Sequence, residues 1–375
     1  MKLTEKIKHM DFSFLSSVIA IAVGLLFGLI ILLISNPAQA MGGFSTILTG
    51  AFRDMRSIGR IMYFATPIIL TGLSVGFAFK TGLFNIGTPG QFIVGAFGAV
   101  IVGIKLPQMG AFGAAIVNFK LPLLGSPHWI LALLAAVILG GLWALLPGIL
   151  KAYANVHEVI ASIMMNYIGM YLVNYLVLNT VYDRLRNQSL GVAKSAIIPK
   201  LGLDKIFPRS NVNAGFFIAI LAVIVIYIIL NKTTFGFELK AVGYNRDASK
   251  YAGINEKRSI ILSMVIAGAL AGLGGGLLYL AGTGKYIEVV DILAAEGFTG
   301  IPVALLGLSN PIGVLFAGLF IGYITVGGDY LQLYDFAPEI IDIIVASIIY
   351  FSAFSLIVKN IIDRRRIKLG GGKVQ

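Results

Sequence analysis

The chain has 375 residues, a formal net charge of +12, 58% hydrophobic and 12% charged residues, and no cysteine. A soluble protein of this length carries about a quarter charged residues, so a water-soluble domain is excluded. The absence of cysteine excludes disulfides, thiol nucleophiles and thiolate metal sites.

The first uncharged apolar run, 14–34, is long enough at about 20 residues to cross a bilayer core. It exceeds the usual signal-peptide apolar region of about 7–15 residues. "NPAQA" at 36–40 has the look of a small-residue cleavage site, yet the run reads as a retained span, with Gly24 and Gly28 spaced for close helix packing. Nine further candidates follow, at 61–79, 92–104, 129–150, 159–178, 214–230, 260–281, 298–308, 312–328 and 340–358. The expected fold is an all-α polytopic membrane protein. It has one transmembrane domain over 1–375, with about ten helices in two five-span halves.

An even span count puts both termini on one side. Lys2, Lys6 and Lys8 precede the first span, and Lys359, Arg364, Arg365, Arg366 and Lys368 follow the last. The positive-inside rule makes the tails 1–13 and 359–375 cytoplasmic, together with the basic loop 232–259. Arg53, Arg56, Arg60 and the basic residues of 182–209 fall on the opposite side, against the rule, which weakens for longer loops. The triple arginine reads as a topology anchor or lipid contact. No aromatic platform accompanies it, so no nucleic-acid partner is expected.

The third and eighth candidates, 92–104 and 298–308, are too short for a core of about 30 Å at 1.5 Å per residue. Each follows a glycine-bearing polar element, "NIGTPGQ" and "AAEGFTG". Paired interrupted segments at matching places in two halves point to a binding site between repeats. Broken backbone at that depth is tolerated where it is buried in protein or lines a water-filled cavity. Two readings stand for 85–91. The amides of Asn85 and Gln91 face an uncharged polar passage, or the stretch is a plain cytoplasmic turn with Pro89 starting the next helix.

"GTGKY" at 282–286 lacks the first glycine and the Ser/Thr of a phosphate-binding loop. His9, His128 and His157 are scattered, and no catalytic constellation is present in the sequence. An ion-driven carrier needs an acidic relay in the membrane, for which Asp342 is the best candidate. The loop "GFELKAVGYNRDASKYAGINEKRS", 236–259, is too long for a simple turn. Ala248, Tyr251, Ala252 and Ile254 can share one apolar helix face that wants a partner.

Four stretches carry a resemblance. "AVGYNRDASKYAGI" resembles the coupling loop of ATP-binding-cassette permeases of the branched-chain amino acid, sugar and nucleoside importer group. "GLFNIGTPGQFIVGAFGA", "HEVIASIMMNYI" and "GFTGIPVALLGLSNPIG" are similar to three further segments of that group, in the same order. The nearest likeness is to the larger permease of nucleoside importers linked to basic membrane lipoproteins. This chain departs from the pattern with Pro89 for Glu, His157 for Asn, Thr299 for Asp and Pro302 for Ala.

The resemblance implies a transport subunit of a bacterial plasma membrane that does no chemistry and holds no cofactor, ATP being bound by its partners. Those partners are a second permease, cytoplasmic ATP-binding subunits and an extracytoplasmic solute-binding lipoprotein. Gly243, Asn245, Ala248, Tyr251, Gly253 and Ile254 form the expected ATPase-coupling element, a helix in a groove. A nucleoside pathway needs amides, hydroxyls and aromatic faces rather than buried charge. Asn85, Gly87, Gly90, Gln91, Asn166, Tyr167 and Thr299 are its candidates, with Asn174 on the same helix as Asn166. The competing reading for an intramembrane Asn is helix–helix bonding. The rival functions are a sugar permease of the same group, an ion-coupled carrier acting alone, and a structural membrane protein.

Overall fold

The computed structural model describes residues 13–122 and 125–353. Both expected terminal tails and the end of the tenth span lie outside the described residues. The helices are α1 Ser13–Ser35, α2 Ala40–Thr49, α3 Met55–Lys80, α4 Thr88–Lys105, α5 Gly110–Asn118, α6 His128–Ala154, α7 Glu158–Thr180, α8 Leu203–Ile206, α9 Gly215–Lys232, α10 Thr234–Tyr244, α11 Arg246–Tyr251, α12 Glu256–Tyr279, α13 Ala295–Leu306, α14 Pro311–Asp329 and α15 Pro338–Ala353. Every expected span overlaps one of them, with residue 214, residues 280–281 and residues 307–308 lying just beyond the helix ends. Seven are long and apolar enough to cross a membrane: α3, α4 with its 3-10 extension, α6, α7, α9, α12, and α14 with its extension.

Local chemistry sets several of the ends. The Asp54 carboxylate caps α3 by accepting from the Ser57 N–H at 2.6 Å. Asn310 caps α14 in the same way, with Pro311 in its first turn, where a missing N–H costs nothing.

The bundle is built around α12. Gly268, Gly272 and Gly276 stand four apart on it and face Ala136, Gly140 and Ala144 on α6, also four apart. A Cβ at Gly272 would lie 2.3 Å from the Ala136 carbonyl oxygen, and one at Gly268 would lie 2.4 Å from that of Gly140. A Cβ at Gly275 would meet the Phe92 carbonyl of α4 at 2.3 Å. In lipid there is little hydrophobic gain in helix association, so backbones that approach this closely supply dispersion instead. α3 packs on the same core through Leu70, Leu73 and Phe77, with Leu270 and Leu277 of α12. A second cluster joins α1, α2, α14 and α15 through Leu32, Ile47, Ile324 and Ile344.

The two ends of the bundle differ. At one, the short hairpin of β1 Tyr182–Asp183 and β2 Gln188–Ser189 bridges to Glu288, tying 181–213 to 280–294 as a cap. The other end carries α10 and α11.

The third span requires a correction. The expectation was a helix over 92–104, too short to cross. α4 starts four residues earlier, with Pro89 in its first turn, and is 18 residues long, about 27 Å at 1.5 Å per residue. The eighth segment does stay short. α13 has 12 residues, about 18 Å. The two N-termini nevertheless meet, since a Cβ at Gly297 would fall 2.4 Å from the Pro89 Cα.

Candidate functional site

The turn between α3 and α4 closes on itself. Asn85 and Gln91 are buried and exchange two hydrogen bonds, each amide donating to the other's carbonyl at 2.9 Å. Asn85 Nδ2 also donates to Ser74 Oγ at 3.2 Å. From α7, the buried Asn166 accepts from the Gly90 N–H at 2.9 Å and donates to the Ile86 carbonyl at 3.0 Å. Gly90 allows this approach, because a Cβ there would sit 2.9 Å from the Asn166 Cα. Gly87 lies against Ser162. Five of the seven sequence candidates are thus gathered in one amide knot.

The other two are elsewhere. Tyr167 is half exposed on the outer face of α7. Thr299 donates to the Glu296 carbonyl one turn back at 2.9 Å. Asn174, at the edge of α7, donates to the Val290 carbonyl and to Asp291 Oδ1.

A cleft of about 720 Å³ opens under the cap, and none of the seven candidates lines it. This volume lies within the range of about 300–1,000 Å³ common for small-molecule sites. Its walls carry aromatic rings (Tyr63, Phe64, Tyr279 and Tyr286), hydrogen-bonding groups (Gln188, Asn211 and Thr283) and an aliphatic floor that includes Ile68 and Ile93. Tyr63 and Thr283 hydroxyls lie 3.2 Å apart across it. The expected passage was uncharged; the cleft instead holds Lys285, Glu288 and Glu296, and Lys285 Nζ pairs with Glu296 Oε1 at 2.5 Å. The pair cancels within the site, so the cleft is charged without a net pull from these two groups. Glu296 sits in the first turn of α13, where the helix dipole favours its negative charge.

Sequence reasoning missed these cleft residues. The available signal is the polar run 282–296 between two spans, whose first part reads as a failed phosphate loop and whose last residues read as the polar start of the eighth segment. Tyr63 carried none, because a lone aromatic in a span is ordinary core.

At the far end, the stretch 236–259 expected to couple to an ATPase forms α10 and α11 rather than one helix over 248–254. Asn245 ends α10 and caps α11, accepting from the Ala248 N–H at 2.9 Å. Gly253 takes φ +84 just after α11, the left-handed position that stops a helix. Gly243 makes a backbone contact instead. It lets α10 touch the α3–α4 turn, since a Cβ there would lie 2.4 Å from the Lys80 carbonyl and 3.0 Å from the Gly82 nitrogen. Gly82, at φ +73, faces Gly243 in return. Arg246 clamps the loop with two bonds to Glu256, at 2.6 and 3.3 Å. Ile254 packs inward, whereas Tyr251 is 95% exposed and Ala248 is exposed beside it. Glu158 pairs with Lys151 at 2.8 Å, joining the facing ends of α6 and α7.

Residues 57–353 match the family model described as the permease component of the branched-chain amino acid transport system. The chain belongs to this permease family. It is 39% identical to the guanosine ABC transporter permease protein NupP of Bacillus subtilis, over 93% of this chain and 96% of that one. It is 36% identical to the nucleoside ABC transporter permease protein NupB of Lactococcus lactis, over 93% of each chain. A glucose ABC transporter permease protein of Haloferax volcanii, TsgB13, is 31% identical over 88% of this chain and 83% of its own. The same two bacteria each have a second, less similar permease protein, NupQ at 28% identity and NupC at 26%. No solved structure matches. Members of this kind are transport components of ABC systems and act beside a second permease.

Proposed function

We propose that the chain is the permease subunit of an ATP-driven importer for nucleosides, moving solute by alternating access powered by separate ATPase subunits. The observation that carries the reading is the cleft: aromatic rings and neutral hydrogen-bonding groups together suit a base and a hydroxylated sugar, and two similar relatives are named for guanosine and nucleosides. A sugar is the second reading, favoured by the similarity to a glucose permease. Against a self-sufficient ion-coupled carrier stands Asp342, which is exposed on α15 rather than set in a relay.

The remaining parts of the reading are a ten-span topology with both termini in the cytoplasm of a bacterium, ATP bound only by partner subunits, and a lipoprotein that delivers solute. The exposed Ala248 and Tyr251 of α11 form the ATPase contact, with Asn245 and Gly253 shaping its ends. In this reading the knot of Asn85, Gln91, Asn166, Gly87 and Gly90 seals the coupling end beneath the cleft, and Thr299 belongs to the α13 framework. Purified complex in proteoliposomes tests the function. ATP-dependent uptake of labelled guanosine, abolished by Tyr63→Ala with Tyr279→Ala, is the expected result. Uptake of glucose but not guanosine selects the sugar reading, and uptake driven by a proton gradient without ATP overturns both.

A further inference from the structure

The exposed face of α7 differs from those of its neighbours. On α6 the large exposed residues within the span are Leu131, Leu134, Ile138, Leu142, Leu146 and Ile149. On α9 they are aliphatic or phenyl, as a face turned to acyl chains should be. α7 also exposes Ile160, Met164, Ile168, Leu172 and Leu178, but among them Tyr167, Tyr171 and Tyr175 are 49%, 55% and 63% exposed. They stand four residues apart on one stripe, and Tyr167 and Tyr171 flank the midpoint of a 23-residue helix. Tyrosine belongs at membrane–water interfaces, where its hydroxyl meets water. Among the described residues, none of these three hydroxyls has a hydrogen-bond partner in the chain. Two such groups at mid-span, with a third toward the end of the helix, are costly against lipid and well placed against a wet passage.

The stripe lies beside the cleft, whose lining comes from other elements. Asn174, on the edge of α7 beside it, holds Val290, which lines the cleft. Ile93 of the cleft floor packs against the apolar cluster that includes Val173 and Val177 of α7. Residues four apart on a helix rise about 6 Å, a step across which a flat base can pass from one ring to the next. Stacking on aromatic faces accepts any base, because every base presents a π-face.

We propose that Tyr167, Tyr171 and Tyr175 form a stacking rail along which the aromatic base of the solute moves between the cleft and the coupling end, the second permease closing the other side of the passage. The proposal rests on the nucleoside reading and adds the path to it.

The absence of cysteine makes the test clean. In the assembled complex, Tyr167→Cys, Tyr171→Cys and Tyr175→Cys should each react on this subunit with a charged, water-soluble thiol reagent. Guanosine should slow that reaction at least threefold. Ile138→Cys on α6 should stay unlabelled. Replacing all three tyrosines by Leu should lower ATP-driven guanosine uptake about tenfold, whereas replacement by Phe should keep it within about twofold. If the three cysteines are as inert as Ile138→Cys, the face is in lipid and the rail is overturned. If the Leu variant does not assemble, the labelling and its protection by guanosine still decide. Normal guanosine uptake by an assembled Leu variant overturns the rail alone, whereas a wild-type complex that takes glucose and not guanosine overturns the nucleoside reading.

Discussion

Asn85 and Gln91 show how the same residues serve two readings. Their spacing and polarity suggest groups offered to a solute, and folding spends those groups on each other and on Asn166. Cutting Asn85 to Ala leaves the Gln91 amide buried without its partner, which costs about 1–3 kcal/mol. The expected outcome is a lower melting temperature of the detergent-purified permease, with uptake falling in step. A loss of uptake at unchanged melting temperature would point to solute contact instead. Asp54 gives a pH prediction. The Ser57 N–H that it accepts holds its carboxyl below the usual carboxylate range. A depressed folded-state pKa contributes stability at pH above the unfolded value near 3.9, and that contribution is lost as pH falls through the folded value. Asp54→Ala should therefore melt lower than wild type at pH 7, by the equivalent of about 1 kcal/mol, and the gap should narrow as the pH is taken below the usual carboxylate range.

At the scale of elements, α10 rests on the α3–α4 turn through the backbones of Gly243, Gly82 and Lys80. That turn carries the amide knot, so movement imposed on α10 and α11 has a stiff route into the bundle. Gly243→Ala places a methyl 2.4 Å from a carbonyl oxygen and must push the two elements apart. The expected result is ATPase activity in the complex that persists while guanosine uptake falls at least tenfold. Full uptake by this variant would rule out the backbone contact as the coupling route. The helical loop was readable in sequence because a polar, glycine-bounded stretch between two spans is conspicuous. Its contact with the α3–α4 turn was not, because it depends on Gly243 meeting Lys80, a residue more than 160 positions away.

For the molecule as a whole, the stability of the bundle lies in the glycine seams between α12, α6 and α4. Gly272→Leu has no room within 2.3 Å of the Ala136 carbonyl. It should leave little folded permease in detergent extracts, as judged by a monodisperse size-exclusion peak, whereas Leu142→Ala on the exposed face of α6 should be nearly neutral. Glycine abundance pointed to packing, but the partners of each glycine follow only from helix placement.

Apolar run length determined the helical membrane class and the approximate position of the long apolar helices, because the bilayer imposes that requirement on each segment separately. The sequence also marked 236–259 as a polar loop long enough to form helices of its own. The length of α4, the self-satisfied amide knot, the cleft assembled from 63–68, 188, 211 and 278–296, and the exposed tyrosine face of α7 were decided by tertiary structure. They depend on which polar groups find partners when distant segments pack, and that pairing is a property of neighbours in space rather than in the chain.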